Sequence, residues 1–170
     1  MDHQRLNAAA NIARWRGWTS RHYSILEHMV IGTQILDERG ASLPAQRMFL
    51  LHDMHETEVI GDVPTPDKKM FCNPLFHHAC DAFDKQMYDS YGDLCRTTQY
   101  ERDVVADMDD AMARIEYATL VTRVVDGMEA PTWTMLERRI KSCIIRLPLP
   151  RDGLIDAWLW HGRRLGLVNE

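Results

Sequence analysis

Between residues 42 and 66 the chain reads Ser-Leu-Pro-Ala-Gln-Arg-Met-Phe-Leu-Leu-His-Asp-Met-His-Glu-Thr-Glu-Val-Ile-Gly-Asp-Val-Pro-Thr-Pro. Four apolar residues, Met48 to Leu51, run into His52, Asp53, His55 and Glu56 with no turn signal between them. Ser42 with Pro44 just behind it is a helix start, so the stretch predicts one helix from about Pro44 to Val59. A helix apolar enough to be buried must pair its carboxylates and imidazoles or place them on a metal. At about 100° per residue His52 and Glu56 share a face, and Asp53 lies close to Glu56. His52 and Asp53 are neighbours in sequence, so they reach one point only if it lies between their directions. A single metal ion is such a point.

The rest of the chain reads as helix. Alternating β-branched runs do not occur, whereas helical spacing recurs throughout. A short first helix is expected over residues 4 to 14, and a second over Tyr23 to Glu38, apolar nearly all round and closed by Gly40. Gly61-Asp-Val-Pro-Thr-Pro66 cannot be helical and is expected as a fixed loop. Pro74 to Tyr91 predicts a helix ended by Gly92, and Gln99 to Val125 a long one stopped by Gly127 and Pro131. Thr132 to Ile145 and Asp152 to Leu165 supply two more. The fold class expected is all-α, with residues 1–170 forming a single helical domain.

Composition narrows the functional classes. With 45% apolar and 26% charged residues the chain has ordinary globular make-up. A net charge of −5 argues against a general nucleic-acid binder. Cys72, Cys80, Cys95 and Cys143 lack a C-x-x-C spacing, so neither a zinc ribbon nor a disulfide framework is indicated. No apolar run approaches the roughly 20 residues that span a membrane, and residues 1–5 carry no signal-peptide pattern. A cytoplasmic protein with no membrane partner is expected.

Other polar residues interrupt apolar helices. His28 sits among Met29, Val30 and Ile31, where a hydrogen-bonded core histidine is the commoner role. Asp109 and Asp110 follow Met108 in the long helix, where such a pair usually forms a solvated face. Taken together, a histidine, a His-Asp pair and an aspartate on three separate helices make an N and O ligand set suited to a divalent metal. Two imidazoles and two carboxylates leave coordination positions open, as catalysis requires.

These residues resemble a known family. His28, His52-Asp53 and a later aspartate are similar to the H…HD…D signature of the HD-domain metal-dependent phosphohydrolases. Arg14-Trp15, Thr19-Ser-Arg-His-Tyr-Ser-Ile-Leu-Glu-His28, Leu51-His-Asp-Met-His-Glu56 and Gly61-Asp-Val-Pro-Thr-Pro66 with Lys68-Lys69 resemble segments of its small 5′-deoxynucleotidase branch. Asp109 with Glu116 seven residues on resembles the D-x6-E helix of that branch, which selects Asp109 over Asp110. The likeness covers residues 14 to 120. Within the branch the short phage-type proteins are most similar, among them dATP triphosphohydrolases that clear dATP where 2-aminoadenine replaces adenine. One departure is that His52 to Asp62 spans ten residues where the family has nine. The extra residue falls near Thr57-Glu58 and leaves Glu56 or Glu58 facing the reaction; Glu56 keeps the family spacing from His52.

The resemblance implies a divalent metal (Zn, Co, Mn or Mg) on His28, His52, Asp53 and Asp109. Glu56 would activate water and Asp62 would protonate the leaving oxygen. Arg14 and Lys68 would neutralise phosphate charge, with Lys69 and Arg21 as secondary candidates, and Trp18 would stack on a base. As bare residues, Lys68-Lys69 equally fit a solvated loop, Arg14 a surface cation and Trp18 a core position. His55, His77 and His78 are read as structural, though a second metal held partly by His55 is conceivable. The substrate expected is a deoxynucleotide, dATP first, in the cytoplasm of the host cell if the source is viral. A homo-oligomer is expected too, through the apolar last helix (Leu154, Ile155, Trp158, Leu159, Trp160). The rivals are a 5′-nucleotidase acting on dNMPs and a non-enzymatic helical interaction protein.

Overall fold

Ser24 opens the central helix. Its side-chain oxygen accepts the Glu27 amide at 3.2 Å, and the helix then runs over Ile25–Glu38. Gly40, at φ +71°, takes the left-handed conformation just beyond it. A computed structural model describes residues 3–58, 62–63, 74–121, 133–146 and 149–169, without the side chains of 94 and 95. Within them the α-helices are α1 (His3–Asn11), α2 (Ile25–Glu38), α3 (Leu43–Leu51), α4 (Pro74–Ser90), α5 (Gln99–Glu116), α6 (Met135–Arg146) and α7 (Arg151–Arg164). Short 3-10 turns cover Arg14–Gly17, Met54–Thr57 and Gly92–Cys95, and a π turn, Tyr117–Val121, follows α5. The protein is all-α, and no strand occurs among the described residues, only an isolated bridge between Ala13 and Ser24.

Helix α2 is apolar all round because it touches α1, α3, α5, α6 and α7. Its Leu26, Met29 and Val30 pack with Leu6, Leu50, Leu51 and Trp158 in one core cluster. Its Ile31, Ile35 and Leu36 join Phe49, Met112, Ile115 and Ile140 in a second. Helix α3 also contributes to both, so the two clusters meet along the α2–α3 contact. The Trp158 indole N–H, fully buried, donates to the Leu50 carbonyl at 3.1 Å. No helix among the described residues is long and apolar enough to cross a membrane.

Four expectations need correction. The first is the single helix from Pro44 to Val59. The α-helix ends at Leu51, His52 is its C-cap, and a separate 3-10 turn follows Asp53. The reason lies in His52 itself. Its Nδ1–H reaches back to the Phe49 carbonyl at 2.7 Å, satisfying a carbonyl at the helix end that has no partner four residues on. The second concerns the helix expected to run to Val125. It is α-helical only to Glu116 before the π turn, and residues 122–132 lie outside the described residues. The third is the apolar face of the last helix. Leu154, Ile155 and Trp158 are buried in the protein's own core, so they form no surface for assembly; Trp160 alone of the five is largely exposed. The fourth is the first helix, expected over residues 4 to 14: it ends at Asn11, and Arg14 falls in a turn of its own.

One close approach positions the site. A Cβ added to Gly32 of α2 would lie 2.0 Å from Cε1 and 2.4 Å from Cζ of the buried Phe49 ring. That ring in turn lies against His52 (centroids 4.5 Å apart) and His28 (5.5 Å). Gly32→Ala should therefore destabilise the fold by about 1–3 kcal/mol through overpacking, outweighing a gain of about 1 kcal/mol in helix propensity. The measurement is the denaturant midpoint at unchanged slope. A midpoint at or above the wild-type value would show that the ring has room to move.

Candidate metal centre

Four elements bring the polar residues together. His28 comes from the middle of α2, His52 from the end of α3, Asp53 from the turn after it, and Asp109 from α5. The His28 and His52 Nε2 atoms lie 3.3 Å apart. Asp109 Oδ1 is 3.2 Å from the first and 3.6 Å from the second. Asp53 Oδ1 lies 3.4 Å from His52 Nε2, and its Oδ2 is 3.8 Å from His28 Nε2. Of the candidates proposed from sequence, His28, His52 and Asp109 converge, and Asp53 stands beside them with a different oxygen toward each ring. His28, His52 and Asp109 form a group able to hold a metal ion.

The tautomers follow from the far side of each ring. His52 Nδ1 faces only a carbonyl, that of Phe49, so it carries a proton. His28 Nδ1 lies 2.5 Å from a carboxylate oxygen of Glu116 and is a donor as well. In its neutral form, which metal binding requires, each ring turns an Nε2 lone pair toward the other, with carboxylate oxygens alongside. Such a group of acceptors needs a cation at its centre. Asp109 Oδ1, buried and without a well-oriented hydrogen bond, marks the same need. Ligand atoms at about 2.1 Å from one ion lie roughly 3.0–3.4 Å from one another. The separations among His28, His52 and Asp109, 3.2 to 3.6 Å, are close to that pattern, so these three fit a divalent ion, with the Asp53 carboxylate alongside.

Glu116 is the residue that sequence reasoning used only as a marker for Asp109. Its carboxylate is fully buried. Oε1 accepts His28 Nδ1–H and, at 2.8 Å, the Tyr23 hydroxyl; Oε2 accepts Arg14 Nε–H at 3.1 Å and the Trp15 indole N–H at 3.2 Å. A signal was available, since residues seven apart stand on one helix face and Asp109 and Glu116 are so spaced. Nothing in the sequence pointed to Tyr23.

The other candidates are placed as follows. Arg14 is buried, with Nη1 2.6 Å from Asp53 Oδ2, so it holds a ligand carboxylate as well as Glu116. It is delivered by the bond from its amide to the Tyr23 carbonyl and by a tight turn in which Trp15 (φ +56°) and Arg16 (φ +52°) are left-handed. Asp62 accepts the Trp15 amide at 2.7 Å and lies 4.0 Å from Arg14. Glu56 is buried in the 3-10 turn, whereas Glu58 is at the surface on Arg5, 2.8 Å away. Arg21 forks onto Glu27 (2.6 and 2.9 Å) and donates to the Ile144 carbonyl, so its guanidinium is committed to holding α2 and α6. Trp18 is 80% exposed, which excludes the core position. His55 donates from Nδ1 to the His52 carbonyl and Asp84, while His77 and His78 are exposed on α4. Lys68 and Lys69, with Pro64 and Pro66, lie outside the described residues.

The charges are interlocked. Burial and the Arg14 charge press the His28 ring down, but Glu116 and Asp109 outweigh them and hold it up at about 9. Burial would raise the Glu116 carboxyl, yet Arg14 and His28 hold it down at about 2. Asp53 is likewise kept well below the usual carboxylate range against its burial, by His52, Arg14 and His28. Among known proteins, no family model matches the chain and no curated protein shows significant similarity to it.

These shifts predict how stability depends on pH without metal. A histidine raised from 6.5 to about 9 contributes stability that is complete below pH 6.5 and lost as pH rises through 9. Burial pushes His52 and His55 down too, but their carboxylate neighbours outweigh it and raise both, in the same sense as His28. Metal-free protein should therefore lose stability on the order of a few kcal/mol between pH 6.5 and 9. A divalent ion takes the place of the proton among the acceptors, so adding Zn²⁺ should flatten that alkaline limb. Melting temperature against pH, with chelator and with Zn²⁺, is the test; a flat profile with chelator over that range would contradict the assignment.

Proposed function

We propose that the chain is a metal-dependent phosphohydrolase of the HD-domain kind acting on a deoxynucleotide, with dATP triphosphohydrolysis as the leading activity. The observation that carries the metal-dependent part is the pair of Nε2 lone pairs 3.3 Å apart, each fixed by an acceptor behind the ring, beside Asp109 and Asp53. A divalent ion bound by these four residues would supply a Lewis acid for a phosphoryl oxygen and make water a stronger nucleophile.

The chain's own groups divide the remaining work. Glu56, buried two residues beyond the Asp53–Met54 junction, is the general base that takes a proton from the attacking water. The water oxygen bonds to the α-phosphorus, the bond from phosphorus to O5′ breaks, and O5′ takes a proton from solvent, giving deoxyadenosine and triphosphate. Asp62 was expected to deliver that proton. Its contacts with the Trp15 amide and Arg14 are those of an acceptor, so its first role here is to hold the Arg14–Trp15 turn. Trp18, exposed at the end of that turn, offers a flat face for a base.

A second reading has a specific observation in its favour. Arg14 and Arg21, two of the four cations expected to serve a triphosphate, are paired with carboxylates. With both guanidinium groups so committed, fewer cations remain for phosphate, which suits a single one. The second reading is thus a 5′-deoxynucleotidase that releases phosphate from a dNMP at the same centre.

Chelation should abolish turnover, and Mn²⁺, Co²⁺ or Zn²⁺ should restore it; activity indifferent to chelator would sink both readings. A panel of dNTPs, NTPs and dNMPs with products separated decides between them. Tripolyphosphate from dATP supports the first, and free phosphate from dAMP and dTMP without action on dATP supports the second. Glu56→Ala should lower kcat at least a hundredfold while metal binding persists, as expected for a group acting in the transition state. Glu58→Ala, which removes only a surface ion pair, should stay within about twofold. The reverse pattern would move the base to Glu58.

A further inference from the structure

The four donors around Glu116 are not equivalent, and the difference decides what the residue controls. Arg14 Nε–H and Trp15 Nε1–H, both on Oε2, can only donate. The two groups on Oε1 are adaptable. A hydroxyl such as that of Tyr23 can donate or accept, and the imidazole of His28 can exchange tautomers. A carboxylate presents acceptors on both oxygens, and His28 answers with a proton on Nδ1. That choice alone leaves the Nε2 lone pair aimed at His52 and Asp109, at 3.3 and 3.2 Å.

We infer that Glu116 is a positioning residue that fixes the Nδ1–H tautomer of His28, and with it the ability of the centre to accept a metal ion. The inference rests on the proposed metal centre and deepens it. Its sharpest consequence concerns the nearly isosteric glutamine. An amide keeps one oxygen and gains an NH₂ group. If its oxygen takes the Oε1 position, the NH₂ meets two obligatory donors, Arg14 and Trp15, and neither can adapt. The oxygen therefore takes the Oε2 position and the NH₂ faces Tyr23 and His28. The Tyr23 hydroxyl turns to accept. His28 accepts at Nδ1 and moves its proton to Nε2. That proton then points at the His52 Nε2 lone pair 3.3 Å away, a hydrogen-bonded pair where an ion would otherwise sit.

The test is Glu116→Gln beside Tyr23→Phe, with folding followed by circular dichroism. Histidine ¹⁵N NMR on metal-free protein, at a pH above 9 where the ring is neutral, should show His28 protonated at Nδ1 alone in wild type and at Nε2 alone in Glu116→Gln. Affinity for Zn²⁺, from competition with a chromogenic chelator, should fall about 10- to 100-fold in Glu116→Gln, as for other residues that orient metal-bound histidines. Tyr23→Phe removes a bond to the same carboxylate without touching the tautomer, so its Zn²⁺ affinity should stay within about threefold of wild type. The inference is overturned if wild-type Nδ1 is bare, if Glu116→Gln keeps Nδ1 protonated, or if Tyr23→Phe loses as much affinity as Glu116→Gln. Should Glu116→Gln fail to fold, the wild-type spectrum still decides. A wild type that binds no Zn²⁺ but shows the two tautomers would fault the metal centre and leave the control by Glu116 standing.

Discussion

A carboxylate with no exposure is the constraint on which the site depends. An ionised group in a protein interior is strongly unfavourable unless it is paired and hydrogen-bonded. Glu116 meets that condition with four donors from three places: the turn after α1, the segment before α2, and α2 itself. The same bonds that make the charge tolerable therefore fasten α5 to the N-terminal third of the chain. Arg14 extends the arrangement by joining Glu116 to Asp53, so one buried guanidinium links α5 to the end of α3. Removing Arg14 would leave both Glu116 and Asp53 without that partner, so the charged members of the arrangement depend on one another.

The end of α3 shows how two adjacent residues can serve one point. On a continuous helix His52 and Asp53 would diverge by about 100°. The α-helix stops at Leu51, and Asp53 takes φ −96°, ψ 8°, so the chain turns and both side chains converge. His52 helps to stop the helix by donating to Phe49 and directs its other nitrogen into the centre by the same bond. Helix termination and ligand orientation are here one interaction. The Phe49 ring beneath it approaches α2 closely only because residue 32 is glycine.

How much of this was legible from sequence depended on the range of the interactions. Most helix positions and the Ser42 and Gly40 ends were, because those residues and the periodic apolar positions act within a few positions of one another; the Ser24 and Thr98 caps were not singled out. His28 and the His-Asp pair stood out because polar residues in apolar helices are costly. The break after Leu51 was not legible, since it comes from a side chain returning to the backbone inside an otherwise helical pattern. The commitment of Arg21 to Glu27 and Ile144 could not be read either, because the Ile144 carbonyl is 123 residues away. Nor could the burial of Trp158, whose partners come from α1, α2 and α3.

The turn carrying Arg14 and Trp15 connects these levels. Two consecutive non-glycine residues in the left-handed region cost on the order of 1–2 kcal/mol each. Such a conformation persists only when its surroundings over-determine it. Here the Trp15 amide is held by Asp62, its indole by Glu116, and the Arg14 side chain by Asp53 and Glu116. All three carboxylates belong to the site, so the strain is offset by the same groups that would shape an ion's surroundings. The left-handed turn also has a spatial effect that an extended segment would lack. It sends Arg14 inward to the carboxylates while leaving Trp18, four residues on, at the surface. The turn thus presents an aromatic face on the outside and, behind it, an arginine-carboxylate lattice continuous with the proposed metal centre.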